Sequence, residues 1–312
     1  MSTAASPHPA ASGGRPAIST PQQAPAMTIV IAFYNNTRWL RLILDALQMQ
    51  SMKDFEVVVA DDGSSDESVA ALKAYIRDYP EMRILHAWHP DQGWRKNAAL
   101  NNAVRMSHGE YIVFIDGDCI PHPDFMKDHY RLRRHGFVTG GRRVESDERL
   151  SSMIEGFDRL PDDFFSRARR CILGSIFSKG ALVRLRRTWR FPMPFGKPLN
   201  VKRRGILGAN FGIYRDDLYK VNGFDERYLA PGTGEDCDLD ARLANAGIGH
   251  LKVSHYALMI HRCHARLDWS SEENAELYRR AREERLTYVD TGLFGDSPAP
   301  AGSHASAPDS GQ

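Results

Sequence analysis

The chain has 312 residues, enough for one large or two modest domains with a real core. Its 42% hydrophobic and 26% charged residues are ordinary for a soluble globular protein, and a net charge of +2 gives no case for a nucleic-acid binder. Four cysteines (Cys119, Cys171, Cys237, Cys263) stand singly, no apolar run reaches membrane-span length, and the N-terminus lacks a basic-then-apolar secretory pattern, which together point to reduced thiols in a cytoplasmic setting.

Residues 1–26 and 296–312 are rich in Ala, Pro, Ser and Gly with little apolar bulk, and both read as disordered tails without chemistry. Order begins at Met27. Thr28–Phe33 reads as a buried strand, followed by a helix capped by Asn36 or Thr37 with Leu40, Ile43, Leu44 and Leu47 on one face. Phe55–Ala60 is a second buried strand. It ends in Asp61-Asp62-Gly63-Ser64-Ser65-Asp66, and a helix follows, marked by Val69, Leu72, Ile76 and Tyr79. Met82–His86 is a third strand and Arg95–Met106 a helix. This alternation predicts an α/β fold with a mostly parallel central sheet covered by helices on both faces. Carboxylates stand where a dinucleotide fold would carry Gly-x-Gly-x-x-Gly.

Tyr111–Ile115 is an apolar run that stops on Asp116-Gly117-Asp118. In an open α/β sheet the ligand crevice lies at the carboxyl ends of the strands. Alternate residues of an extended chain point the same way, so both acids can face one point. Two hard oxygen ligands there suit Mg2+ or Mn2+ bound mainly through a substrate diphosphate. The small polar residues and acids of Asp61-Asp62-Gly63-Ser64 could bond a nucleoside's ring nitrogens and ribose hydroxyls, and helix capping by Ser65 or Asp66 accounts for part of the same pattern.

Pro121–Phe125 starts a helix through Arg134, and 136–165 carries no clear periodicity. From Arg167 to Arg204 there are twelve Lys or Arg and no acid, leaving the remainder of the chain at about −10. Apolar and aromatic residues interleave with these charges. Such a stretch can meet the headgroups of an anionic membrane surface, an anionic acceptor, or only solvent. Gly205–Arg215 reads as a Gly-rich entry to a strand, Asn222-Gly223 as a turn, and 231–234 as a mobile glycine loop. Glu235, Asp236, Asp238 and Asp240 then open a helix that ends at Gly247; acids this dense exceed what capping needs and suit a general base. After the strand-like 257–260, a neutral imidazole from His261 or His264 could complete a metal's sphere, His261 being preferred.

Ile31-Ala32-Phe33-Tyr34-Asn35, Asp61-Asp62-Gly63-Ser64-Ser65-Asp66 and Phe114-Ile115-Asp116-Gly117-Asp118 resemble, in order and spacing, the signatures of family 2 nucleotide-sugar glycosyltransferases of the GT-A fold. Asp91–Arg95 with Asn101 resembles the segment before the metal motif. Asn222-Gly223-Phe224-Asp225, a glycine loop and Glu235-Asp236-x-Asp238-Leu239 look like the galactosyltransferase-type C-terminal motif. The chain departs from the usual pattern in lacking a proline before the first strand's aromatic, and in carrying Pro231 where a tryptophan is usual. The resemblance implies one catalytic domain over 27–295, with a nucleotide-binding half to about 140 and an acceptor half from about 141. It implies donor contacts from Phe33, Asp61, Asp62, Arg95, Asn101 and Asp116, and metal ligation by Asp118 and His261. It further implies acceptor contacts from Asn210, Gly234 and Glu235, with Asp236 as catalytic base. The implied reaction is inverting transfer of a sugar from a nucleotide-diphosphate donor, a UDP-sugar above others, to a saccharide or lipid-linked acceptor. Bacterial-type surface polysaccharide or lipopolysaccharide synthesis at the inner face of the cytoplasmic membrane is the expected setting. A nucleotidyltransferase would want a basic Gly-rich phosphate loop near the first strand, and a non-catalytic sugar- or lipid-binding module would not need both Asp118 and Asp236.

Overall fold

In the computed structural model the described residues are 24–174, 181–190, 206, 208–232, 235–253, 255–263 and 271–295. Strand β1 (Met27–Phe33) is flanked on both sides by parallel partners, β2 (Phe55–Asp61) and β4 (Tyr111–Asp116). Its residues alternate between two cores. Met27, Ile29, Ile31 and Phe33 pack with Leu40, Ile43, Leu44 and Leu47 of helix α1 (Thr37–Gln48). Val30 packs on the opposite face with Ala99, Leu100, Ala103 and Val104 of α3 (Lys96–Met106). A strand covered on both faces needs a continuous apolar run, and that is the run seen in the sequence.

Helix α2 (Asp66–Asp78) follows β2 and is capped by Ser65, whose hydroxyl accepts from Ser68 N. Strand β3 (Arg83–Trp88) pairs with β2 and runs two residues beyond the sequence expectation. The next elements are β5 (Cys119–Pro121), α4 (Phe125–Leu132), β6 (Phe137–Gly140), β7 (Arg142–Glu145), α5 (Glu148–Glu155), α6 (Phe164–Leu173) and α7 (Ala181–Arg187). The stretch 136–165, without clear periodicity in sequence, thus holds two strands, a helix and the start of another. They are followed by β8 (Asn210–Tyr214), α8 (Arg215–Tyr219), α9 (Glu235–Asn245), β9 (Gly249–Lys252), β10 (Leu258–His261) and α10 (Glu272–Glu283).

The main sheet has the order β3-β2-β1-β4-β8-β6-β9. β8 is antiparallel to both β4 and β6, so the sheet is mostly parallel with one reversed strand, and it runs unbroken from the first half of the chain into the second. A smaller sheet, β5-β10-β7, pairs His261 with Cys119 on one side and with Glu145 on the other. A third core beneath it joins Ile120, Val144 and Ile260 to Leu150, Ile154, Phe164, Phe165 and Ile172 of α5 and α6.

Of the basic stretch, 175–180 and 191–204 lie outside the described residues, as do the expected tails apart from 24–26 and the residues 205 and 207 before β8. Among those described, Arg190 is spent on structure. It donates from Nε and Nη2 to both carboxylate oxygens of Asp128 at 2.8 and 2.6 Å, tying the end of α7 to α4. Asp128 is buried and also accepts from Ala257 N at 3.0 Å. Removing the guanidinium leaves a buried carboxylate without its cation, so Arg190→Ala is expected to cost about 3 kcal/mol of unfolding free energy. Urea titration of the two proteins measures it.

Candidate active site

The parallel register builds the site. Phe33 lies opposite Asp61 and Ala32 opposite Asp116, so three carboxyl-terminal strand ends deliver Phe33-Tyr34 and the two acidic motifs to one edge. There a cleft of about 940 Å3 opens between the loops that follow β1, β2 and β3 and the smaller sheet.

After β2, Asp62 lines the cleft while Asp61 does not. Asp61 is fully buried; it accepts from Ser64 N at 2.8 Å and faces His86 Nε2 at 2.8 Å, which shapes the turn. Asp62 Oδ2 accepts from Arg95 N at 3.0 Å. Its Oδ1 is buried without a hydrogen bond, 3.2 Å from His89 Nε2 but out of bonding geometry. Burial pushes the Asp62 pKa up to about 6, against the opposing pull of the Arg95 amide and His89. Gly63 has φ +85°, and a Cβ there would stand 2.4 Å from Asp91 Cα, so only glycine lets these two loops touch. Phe33, Tyr34 and Trp94 line the cleft beside Asp62; Tyr34 and Trp94 are half-exposed aromatic faces.

Arg95 acts here through its backbone, and its side chain bonds Gln92 at 2.9 Å. Its neighbour Lys96 enters the cleft instead and holds Asp116 at 3.0 Å. At Gly117 a Cβ would meet Ala32 O at 2.4 Å, which explains the glycine between the two acids.

Asp118 stands beside the smaller sheet. Its Oδ2 is 3.4 Å from His261 Nε2, and the Cys119 thiol donates to its Oδ1 at 3.5 Å. Asp118, Cys119 and His261 offer ligand atoms that all lie within 4.8 Å of one another, a grouping that could hold a metal ion. On the far side of the ring, His261 Nδ1 bonds Glu145 Oε2 at 2.7 Å. Burial works against charge on this imidazole, yet the hydrogen bonds to Asp118 and Glu145 carry its pKa up to about 9. A ring gripped at one nitrogen by a carboxylate and turned by the other toward Asp118 is how ligating histidines are commonly oriented. The carboxylate of Asp118 suits Mn2+ or Mg2+, and burial pushes the pKa of the Cys119 thiol up. His264, the alternative ligand, lies outside the described residues.

Asp236 reaches the cleft from the first turn of α9, and its Oδ2 accepts from Gly208 N at 3.1 Å. The helix is fixed from beneath. Arg242, fully buried, donates to Asp238 at 2.8 Å and to the carbonyls of Val221 and Gly223 at 2.6 and 3.0 Å. Gly234 lies outside the described residues, and Glu235 opens α9.

Two asparagines expected to touch ligand are placed away from the cleft. Asn101 donates to Phe224 O at 2.8 Å and accepts from Phe224 N at 3.0 Å, clamping the 222–226 turn to α3. Asn210 is buried on β8 and donates to Ala257 O at 2.9 Å and Arg142 O at 3.2 Å, joining the two sheets. A primary amide satisfies two strands' worth of main-chain groups at once, which is reason enough for asparagine at both. Conversely, Tyr34, Trp94, Lys96 and Glu145 line the cleft without having been singled out from sequence. Lys96 carried a signal, as the first residue of α3 directly after Arg95. Glu145 carried none, since Arg142-Arg143-Val144-Glu145 has a single apolar residue.

The model of the family described as "Glycosyl transferase family 2" matches residues 28–197. A validoxylamine A glucosyltransferase of Streptomyces hygroscopicus subsp. jinggangensis is 30% identical over 72% of this chain and 52% of its own. Among solved structures, the mannosyltransferase PcManGT of Pyrobaculum calidifontis, in complex with GDP-Man and Mn2+, superposes at TM-score 0.50. It is 17% identical over 78% of this chain and 59% of its own. TarS 1–349 of S. aureus, in complex with UDP, gives TM-score 0.51 and 16% identity over 76% of this chain and 60% of that one. The chain thus spans little more than half the length of these relatives. The likeness to the two structures shows the α/β fold to be GT-A, and the family match extends over more than half of the sequence: the chain belongs to glycosyl transferase family 2.

Proposed function

We propose that the protein transfers a sugar, with inversion, from a nucleotide-diphosphate donor to a hydroxyl of a saccharide or lipid-linked acceptor. One observation carries this reading: Asp62, the Asp118–His261 pair and Asp236, from three distant parts of the sequence, all line a single cleft. The solved relatives with GDP-Man and with UDP support a nucleotide-sugar donor, and UDP-sugars are the first to test.

The carboxylate of Asp62, which lines the cleft, is the acceptor for a ribose hydroxyl or base N–H, with Tyr34 and Trp94 beside it as stacking faces. Asp118 and His261 would hold Mn2+ or Mg2+, which supplies Lewis-acid neutralisation of the leaving diphosphate. Lys96, ion-paired with Asp116, lines the same cleft and could turn its ammonium to a diphosphate oxygen. Asp236 takes the proton of the acceptor hydroxyl, and the oxygen attacks the anomeric carbon on the face opposite the diphosphate. Positive charge grows on the sugar ring as the leaving bond stretches. The Gly208 amide holds the carboxylate of Asp236 in place without neutralising it.

The test is release of nucleoside diphosphate from a panel of nucleotide sugars, with Mn2+, Mg2+ or EDTA. Asp236→Asn is expected to lower turnover about 10²- to 10⁴-fold with nucleotide affinity retained. Transfer surviving in this variant would mean that the base is another group, and transfer surviving EDTA would remove the metal. Glu145→Gln loosens the grip on His261 and is expected to weaken Mn2+ binding about tenfold or more, read by calorimetry with UDP present.

Asp62 supplies a prediction of opposite sign. A carboxyl whose pKa is about 6 when folded and 3.8 when unfolded leaves stability untouched below about pH 4 and lowers it as pH rises through 6. Asp62→Asn should therefore match wild type at pH 4 and be more stable by about 3 kcal/mol above pH 7, while losing nucleotide affinity. Melting curves across that range check the first half and UDP titration the second.

A further inference from the structure

The α6–α7 pair has two unlike faces. Phe164, Phe165, Ala168 and Ile172 of α6 point into the third core, with Leu185 of α7 packed against it. On the outside, Leu173, Leu182, Val183 and Trp189 are all exposed, Leu182 at 64% and Trp189 at 52%. Four large apolar side chains within seventeen residues of sequence, three on two helices packed together and Trp189 just past the second, are more than scattered surface apolars.

Charge of one sign surrounds them. Arg190 is taken by Asp128, and Arg167 and Arg170 share the exposed Asp163. Arg142 on β7 and Arg186 and Arg187 on α7 differ: among the described residues no carboxylate pairs with any of them. They also crowd one another. Arg142 is partly buried at the seam where α7 packs on β7, and its pKa is lowered by burial and then by Arg187 and Arg186. His255 feels Arg142 and Arg186 in the same way. Three unneutralised guanidiniums gathered at a seam, next to exposed aliphatic and indole side chains, are complementary to phosphate oxygens that lie directly above an apolar layer.

We propose that α6 and α7 dock the protein on an anionic phospholipid bilayer, with Leu173, Leu182, Val183 and Trp189 entering the interface and Arg142, Arg186 and Arg187 binding lipid phosphates. A short amphipathic element with arginines flanking apolar residues binds in the plane of the membrane, and tryptophan favours the headgroup level. The occupant follows from complementarity of both kinds: a free anion would use the arginines and leave the apolar residues in water. The surface does not depend on the transfer reading, but it bears on it. The same strand that presents Arg142 presents Arg143 and Glu145 to the cleft, so a docked molecule would hold one wall of its cleft next to the lipid.

The experiment is flotation of the full chain with vesicles of phosphatidylcholine, with or without phosphatidylglycerol, at low and physiological salt. Wild type is expected to float with the anionic vesicles only. The double variant Arg186→Ala/Arg187→Ala should bind them about thirtyfold more weakly, from about 1 kcal/mol per basic residue near the surface. Leu182→Ser/Val183→Ser should also lose binding, about tenfold or more, since both lose apolar contact with the interface. Each variant should keep the wild-type melting temperature and UDP affinity, which separates loss of docking from loss of fold. Equal binding to neutral vesicles, unchanged binding in both variants, or release from vesicles by millimolar inorganic phosphate at constant ionic strength would overturn the proposal. Vesicle binding by a chain that takes up no nucleotide would support docking while sinking the transferase reading.

Discussion

The pairing of β1 with β2 on one side and β4 on the other is the constraint on which the site rests. Main-chain hydrogen bonds fix the heights of three strand ends against one another, and the acids at the ends of β2 and β4 inherit that alignment. Slipping either pairing by a residue would turn the apolar side chains of the moved strand onto the wrong core, because β1 and β4 divide their residues strictly between two packed faces. Packing thus enforces register, and register places the carboxylates.

Within that frame the cleft holds charges in two different states. Asp61, Asp128 and Asp238 are buried with good partners, and they serve the fold. Asp62 is buried with one oxygen lacking a hydrogen bond, an arrangement that costs stability. His261 lies between, held by carboxylates on both sides. Asp62 and His261 line the cleft, and Asp61, Asp128 and Asp238 do not. This division distinguishes the two kinds of acid more clearly than their positions in the motifs do.

Much of this was legible in the sequence, and the exceptions have physical reasons. Strands β1, β2 and β4 are buried on both faces and so appear as unbroken apolar runs. The acids appear because density of like charge at a strand end or helix start is expensive. Strand β7, with one apolar residue in four, and the short β9 leave no periodic trace, so the strand that carries Glu145 was missed. Asn101 and Asn210 misled in the opposite direction. A polar amide amid a motif looks like a ligand contact, but an amide is equally suited to tying a turn to a helix or one sheet to another, and here each does so. Arg95 shows a third limit. Sequence marks the residue, but whether its main chain or its side chain acts depends on a helix beginning one position later.

The smaller sheet has a consequence for the order of synthesis. Its middle strand, β10, comes from residues 258–261, whereas its outer strands were made more than a hundred residues earlier, at 119–121 and 142–145. On the ribosome, the main sheet's first four strands can pair as soon as Asp116 has emerged. Asp118 and Glu145 must then wait, facing each other across a missing strand, until His261 arrives between them. Asp118, Glu145 and His261 come together only once residues 258–261 are in place. Until β10 is laid between β5 and β7, Asp118 and Glu145 lack the imidazole that bridges them in the folded protein.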